Sequence, residues 1–108
     1  MILAGEDLRK VARETIYPEP IPKDFGPMSV DVHAHLPDDR VIIESGEHLV
    51  VPAVENVDVP RDVGVMITGR SEHMRQGLFS PAGWLDPGFR STDDDPLKLE
   101  FGNTSAGA

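Results

Sequence analysis

The chain has 108 residues, enough for one small domain, and 39% of them are hydrophobic, so a core can form but a small one. The net charge of −9 argues against duplex nucleic acid as a partner, because such binding needs a basic surface. The absence of cysteine excludes disulfides, thiol nucleophiles and cysteine-based zinc sites. The sequence contains neither a long apolar run nor a signal-peptide pattern, so we expect no membrane association and a cytoplasmic location.

The first 27 residues predict a helix and an extended linker. Apolar side chains recur at helical spacing over residues 5–16, namely at Leu8, Val11, Ala12 and Ile16. Prolines then recur through residues 17–27 and exclude a regular helix there. We therefore expect this segment to lead into a β domain, with the whole of residues 1–108 forming a single domain.

The remainder of the chain predicts mainly β structure. Residues 28–36 alternate apolar and polar side chains without a fault, a pattern typical of a strand. Further short apolar runs occupy residues 40–43, 48–53, 57–59, 63–68 and 97–101. Turn residues separate most of these runs, which favours a barrel or sandwich with little helix.

A candidate phosphate site lies in residues 69–78. Gly69 permits close approach of the backbone to a ligand, and Ser71 offers a hydroxyl group. Arg70 and Arg75 supply guanidinium groups, whose planar forks suit phosphate oxygens. On its own the segment is equally compatible with a surface turn that carries solvated arginines.

Two later segments also carry candidate ligand-binding groups. Asp86 opens a turn that Trp84 and Phe89 flank, and these aromatic side chains form either a wall for a base or sugar or part of the core. In residues 97–101, period two places Lys98 and Glu100 on the face opposite the apolar residues. A carboxylate on a rigid strand suits a general base, although a solvated strand face has the same pattern.

Taken together, these segments resemble the dCTP deaminase family of the dCTP deaminase/dUTPase superfamily. The matching pieces follow the family's order: Ser29-Val30-Asp31, Glu55-Asn56-Val57, Val59-Pro60, Asp62, Gly69-Arg70-Ser71, Arg75, Gly77-Leu78, Asp86-Pro87-Gly88-Phe89, Leu99-Glu100-Phe101 and Asn103. Each piece is weak alone, but their order and their coverage of nearly the whole chain make the resemblance specific.

The resemblance implies a distorted β-barrel or jelly roll of the dUTPase-like type with one short N-terminal helix, assembled as a homotrimer with active sites between subunits. It implies catalytic roles for Ser71, Arg75 and Glu100. The positions that it implies for substrate binding are Arg70, Ser71, Glu72, Arg75, Asp86, Lys98 and Leu99. Magnesium is expected to accompany the triphosphate, and no metal is expected to be held by the protein.

The implied reaction is hydrolytic deamination of dCTP to dUTP. Water adds to C4 of cytosine and ammonia leaves, so one group must take a proton from water and return one to the amine. Glu100 is suited to both transfers, with Arg75 and Ser71 orienting the water and the carboxylate. The zinc-dependent route of other nucleobase deaminases uses cysteine ligands, which this chain lacks.

Departures from the family pattern keep alternatives open. Glu72 stands where a second serine is usual, and further C-terminal strands of the family are expected to be missing. The alternatives are a dUTP diphosphatase that uses Asp86, a bifunctional enzyme, and a truncated homologue without activity. Asp31, His33 and His35 also resemble an amidohydrolase metal motif, but such barrels need more than about 200 residues.

Overall fold

A computed structural model describes residues 2–38 and 40–105. Its helices are α1 (Gly5–Thr15) and α2 (Ser71–Arg75), with a 3₁₀ turn at Pro22–Asp24. Its strands are β1 (Ile16–Tyr17), β2 (His48–Pro52), β3 (Asn56–Val57), β4 (Val65–Ile67), β5 (Leu78–Phe79), β6 (Gly83–Leu85) and β7 (Lys98–Asn103). No helix within the described ranges has the length and apolar character needed to cross a bilayer.

Three small antiparallel sheets make up the β structure. They pair β1 with β3, β4 with β6, and β2 with β7 and β5 in the order β2-β7-β5. The prediction of a mainly β fold with an N-terminal helix is confirmed, and the arrangement is consistent with the dUTPase-like type. In the part of the chain that the structure describes, the strands do not close into a barrel.

The predicted N-terminal helix is confirmed and packs one face on the core. Glu6 and Asp7 lie in its first turn and Arg13 in its last, which matches the helix dipole. Ala12 is buried, whereas most of the opposite face is exposed. The helix ends one residue earlier than predicted because Ile16 opens β1 and pairs with Val57.

The prediction of a continuous strand over residues 28–36 is wrong. The segment forms only isolated bridges, between Val30 and Phe25 and between Ala34 and Ala53. Its first half bonds back onto residues 24–26, and its second half bonds to residues 52–54. Because the partner changes midway, no single ladder forms, although side-chain alternation alone predicts one.

The core lies between α1, β2 and β7. Along the chain from Val51 to Val59 every second residue is buried. Leu97 and Leu99 of the β7 region and Ala12 of α1 complete the buried cluster. Val59 is the most enclosed side chain, with 2% of its surface exposed. This packing fixes the faces on which the candidate site residues lie.

Replacement of Val59 by alanine is expected to lower the free energy of unfolding by about 1.5–3 kcal/mol, because it leaves a cavity in the core. Chemical denaturation measures the effect. Val54→Ala is the matched control, since Val54 is 49% exposed and loses the same atoms from the surface. Equal losses of stability in the two variants would contradict this placement of the core.

Candidate functional site

The three-stranded sheet determines where Lys98 and Glu100 point. Leu97, just before β7, and Leu99 within it are buried, whereas Lys98 and Glu100 are exposed. The predicted alternation of this strand is therefore confirmed. Glu100 lies opposite Val50 of β2, which is 47% exposed, so the carboxylate stands on an open sheet face with an apolar neighbour.

The candidate phosphate segment is attached to the edge of the same sheet. Ser71, Glu72 and Arg75 lie on α2, which packs against β5, and β5 pairs with β7. The segment is a short helix where the sequence indicated only a turn. A side chain at Gly69 would meet Ser80 Cβ at 2.8 Å and Met74 Cε at 3.0 Å, so this glycine is needed for internal packing.

Carboxylates already surround the guanidinium of Arg70. Its Nη1 lies 3.5 Å from Asp31 Oδ2, and its Nη2 lies 3.3 Å from Glu72 Oε1. These contacts are partly solvated, so each contributes little to stability. The two carboxylates would nevertheless compete with a phosphate for the Arg70 guanidinium. By contrast, Arg75 forms no ion pair with any other residue of ranges 2–38 and 40–105.

Asp86 lies in the turn that follows β6. The amide of Phe89 donates to the Asp86 carbonyl at 3.0 Å, and the amide of Gly88 donates to the Val59 carbonyl at 3.0 Å. Gly88 has φ +87°, which favours glycine at this position. The Asp86 carboxylate is thus carried on a turn that is hydrogen-bonded to the backbone of the buried residue Val59.

A cleft of about 260 Å³ joins this turn region to the start of β7. Its lining residues are Leu85, Phe89, Asp95, Pro96, Leu97 and Lys98. It therefore brings Lys98 together with the neighbours of Asp86. The side chain of Leu99 points into the core, so any ligand contact of Leu99 would use its backbone.

The two aromatic side chains beside the Asp86 turn lie in different environments. Phe89 packs against the core, whereas Trp84 is 72% exposed on β6 opposite Met66. The sequence proposal that they form a common wall for a base or sugar is therefore not supported. Only Phe89 lines the cleft beside Lys98.

A carboxylate–histidine cluster of Asp24, His33 and Glu55 was not found by sequence reasoning. His33 donates its backbone amide to Glu55 Oε1 at 2.8 Å, and its Nδ1 lies 2.5 Å from Glu55 Oε2. Its Nε2 is 3.4 Å from Asp24 Oδ1. Both carboxylates are buried. His33 and Glu55 each stand in a separate sequence motif, but nothing in the sequence indicated that they contact each other.

The cluster gives His33 a role different from the metal ligation that the amidohydrolase-like motif would imply. The hydrogen bond to Glu55 raises the pKa of His33, and the charges of Glu55, Asp24 and Asp31 act in the same direction against modest desolvation. His35 projects an exposed side chain outside this cluster. Across the described residues, no group of three or more histidine, aspartate or glutamate side chains is arranged to hold a metal ion.

A family model and two known proteins that are similar to this chain are all described as dCTP deaminase or dCTP deaminase-like. A family model described as dCTP deaminase-like matches residues 32–107. A protein of Methanoculleus marisnigri named "dCTP deaminase, dUMP-forming" is 34% identical over 70 residues, which cover 63% of this chain and 35% of that protein. A "dCTP deaminase" of Anaplasma phagocytophilum is 33% identical over 84 residues, covering 78% and 42%. The chain thus spans less than half the length of these relatives.

The stabilisation that His33 contributes is expected to depend on pH. Because the pKa of His33 is raised in the folded chain, this contribution is complete below the ordinary value of 6.5 and is lost as pH rises through the folded pKa. The stability difference between wild type and His33→Gln should therefore shrink with rising pH. Denaturation curves from about pH 5.5 to 8, above the titration range of ordinary carboxyl groups, measure it.

His35→Gln is the matched control, because it makes the same change two residues away at an exposed position outside the cluster. Its stability difference from wild type should vary much less over the same pH range. A difference for His33→Gln that grows with pH would contradict the assigned pairing with Glu55.

Proposed function

This chain belongs to the dCTP deaminase-like family, and we propose that it catalyses the hydrolytic deamination of dCTP to dUTP. The observation that carries the proposal is the position of Glu100. It is an exposed carboxylate on β7, a strand paired on both sides, in the sheet whose edge strand β5 packs against α2. The proposed base and the proposed phosphate-binding groups of α2 thus belong to one structural unit.

In the proposed reaction Glu100 acts first as a base and then as an acid. It takes a proton from water as the oxygen adds to C4 of cytosine, and it returns a proton to the amino group as the C4–N bond breaks. The products are dUTP and ammonia. Ser71 and Arg75 are proposed to orient the water and the carboxylate, and the exposure of Arg75 supports its availability for this role.

The substrate is proposed to be the magnesium complex of dCTP, with the metal carried by the triphosphate. Arg70, Ser71 and Arg75 would contact phosphate oxygens through charge-assisted hydrogen bonds. Lys98 and the Leu99 backbone would contact the base, and Asp86 would lie near the deoxyribose. The cleft is lined by Lys98 and by Leu85, the residue before Asp86, which supports the proposal that Lys98 and the Asp86 turn contact one nucleotide.

Assembly as a homotrimer is part of the proposal. The face that carries Glu100 also exposes Val50 and Phe79, at 47% and 46%. An open apolar surface beside a catalytic group suits coverage by a neighbouring subunit, which would exclude water from the reaction. The substrate belongs to the nucleotide pool of the cytoplasm, where we expect the protein to act.

A second candidate function is cleavage of dUTP to dUMP, alone or after deamination. The name of the Methanoculleus marisnigri relative, which includes "dUMP-forming", favours the bifunctional form. Asp86 is exposed on its turn and is the carboxylate proposed to help to place the attacking water. Chromatography separates the two functions, because deamination alone ends at dUTP.

Glu100→Gln is expected to abolish the conversion of dCTP, because the amide cannot accept the proton of water. The assay incubates the protein with magnesium and dCTP, or with dUTP, and resolves the products chromatographically. Oligomeric state, measured by light scattering, should not change. Glu14→Gln is the control, since Glu14 is an exposed residue of α1.

Retained deamination in the Glu100→Gln protein would contradict the proposed mechanism. Formation of dUMP by wild type would establish the diphosphatase activity and make Asp86→Asn the next variant. A wild-type protein that leaves both nucleotides unchanged would favour the non-catalytic homologue.

Glu72→Gln is expected to strengthen triphosphate binding about two- to fivefold, because a partly solvated ion pair that competes for Arg70 is removed. Titration of the protein with magnesium and a dCTP analogue measures the affinity. Glu6→Gln breaks the comparable surface pair with Arg9 on α1 and should leave the affinity unchanged. Weaker binding by Glu72→Gln would indicate that Glu72 contributes directly to the nucleotide site.

A further inference from the structure

Asn103 ends the strand that carries Glu100, and its side chain is enclosed although it is polar. The residue is 9% exposed. Its Nδ2 donates to the Ile43 carbonyl at 2.7 Å, in the turn of residues 43–47 that precedes β2. Its Oδ1 accepts the backbone amide of Ser105 at 2.8 Å and the Ser105 hydroxyl at 2.5 Å. One amide group thus bonds to both a preceding and a following segment.

The bend that Asn103 imposes brings the following residue to the end of α2. A side-chain oxygen that accepts the amide two residues later forms a local turn. Thr104 then donates its amide to the Gly77 carbonyl at 2.9 Å and its hydroxyl to the same oxygen at 3.1 Å. Gly77 lies between α2 and β5, and its own amide bonds to the Met74 carbonyl of α2.

The backbone at Gly77 is shaped for this contact. Its φ of +94° is a conformation that favours glycine. A side chain there would meet Ser105 Cβ at 2.7 Å. On the other side, the Ser45 hydroxyl donates to the Ser105 carbonyl at 2.6 Å. Residues 103–105 are therefore held between the 43–47 turn and the end of α2.

We propose that Asn103 is a positioning residue that sets α2 relative to Glu100. Glu100 lies three residues before Asn103 on β7, and Arg75 lies two residues before Gly77. The junction of Ile43, Gly77, Asn103, Thr104 and Ser105 therefore joins the two parts of the candidate site by short lengths of chain. The catalytic consequence rests on the proposed function, whereas the structural consequence does not.

Asn103→Asp tests the proposal, because it keeps an oxygen for Ser105 and removes the donor to Ile43. Hydrogen exchange of residues 71–77 and of the Thr104 amide is expected to be at least about tenfold faster, because the partly buried hydrogen bond to Ile43 is lost. Exchange of the amides paired between β2 and β7 should change less than about twofold, because their ladder is retained.

In a deamination assay of the same protein, kcat is expected to fall about 10- to 100-fold, because a misplacement of about 1 Å has this effect. KM should change less than about threefold, since the phosphate-binding groups of α2 move together. Asn56→Asp is the control for the same chemical change outside the junction; it removes the exposed hydrogen bond to Asp93 and sets a carboxylate beside that of Asp93.

The proposal would be overturned if Asn103→Asp and Asn56→Asp had equal hydrogen-exchange rates in α2 and equal kcat values. If wild type does not convert dCTP, the deamination assay contradicts the proposed function. The hydrogen exchange of α2 in Asn103→Asp and Asn56→Asp then decides the role of Asn103 by itself. Should Asn103→Asp not fold, Asn103→Ser, a neutral change that also removes the amide donor to Ile43, is measured in the same way against Asn56→Ser. Unchanged exchange of α2 in that variant would likewise overturn the proposal.

Discussion

The antiparallel pairing of β2 with β7 is the constraint on which the candidate site depends. Five residue pairs, from His48 with Gly102 to Pro52 with Lys98, fix the register. Because side chains alternate between faces, a shift of one residue would turn Glu100 into the core and Leu99 to solvent. Burial of Leu97, Leu99 and Val51 opposes such a shift, so the apolar core also orients the proposed catalytic carboxylate.

Charge is distributed unevenly around this sheet. In a chain of net charge −9, Arg70 is approached by Asp31 and Glu72, and His33 is approached by Glu55 and Asp24. Asp31 connects the two groups, since its amide donates to the Asp24 carbonyl and its carboxylate faces Arg70. A phosphate arriving at Arg70 would therefore compete with a carboxylate held by the segment that also carries His33.

Much of the fold was predictable because the apolar positions of the local sequence patterns are the positions that the structure buries. The helix over residues 5–16 and the alternation of residues 97–101 each combine a periodic sequence with one buried face. Residues 28–36 have an equally regular pattern, yet they form no strand, because a ladder requires a continuous partner and theirs changes at mid-segment. Long-range partners of this kind are not encoded in the alternation itself.

The candidate site was predictable only as separate pieces. Sequence order nominates Ser71, Arg75, Asp86 and Glu100 as candidates, since each stands in a short motif. The contacts that join those pieces involve residues distant in sequence, such as Asn103 with Ile43 and Thr104 with Gly77. Enclosing a polar side chain at a strand end is favourable when its hydrogen bonds are made there, because burial without them costs free energy. Asn103 makes these hydrogen bonds with the Ile43 carbonyl on one side and with Ser105 on the other. A residue with no proposed role in the chemistry therefore bears on the relative position of Glu100 and Arg75, which have such roles.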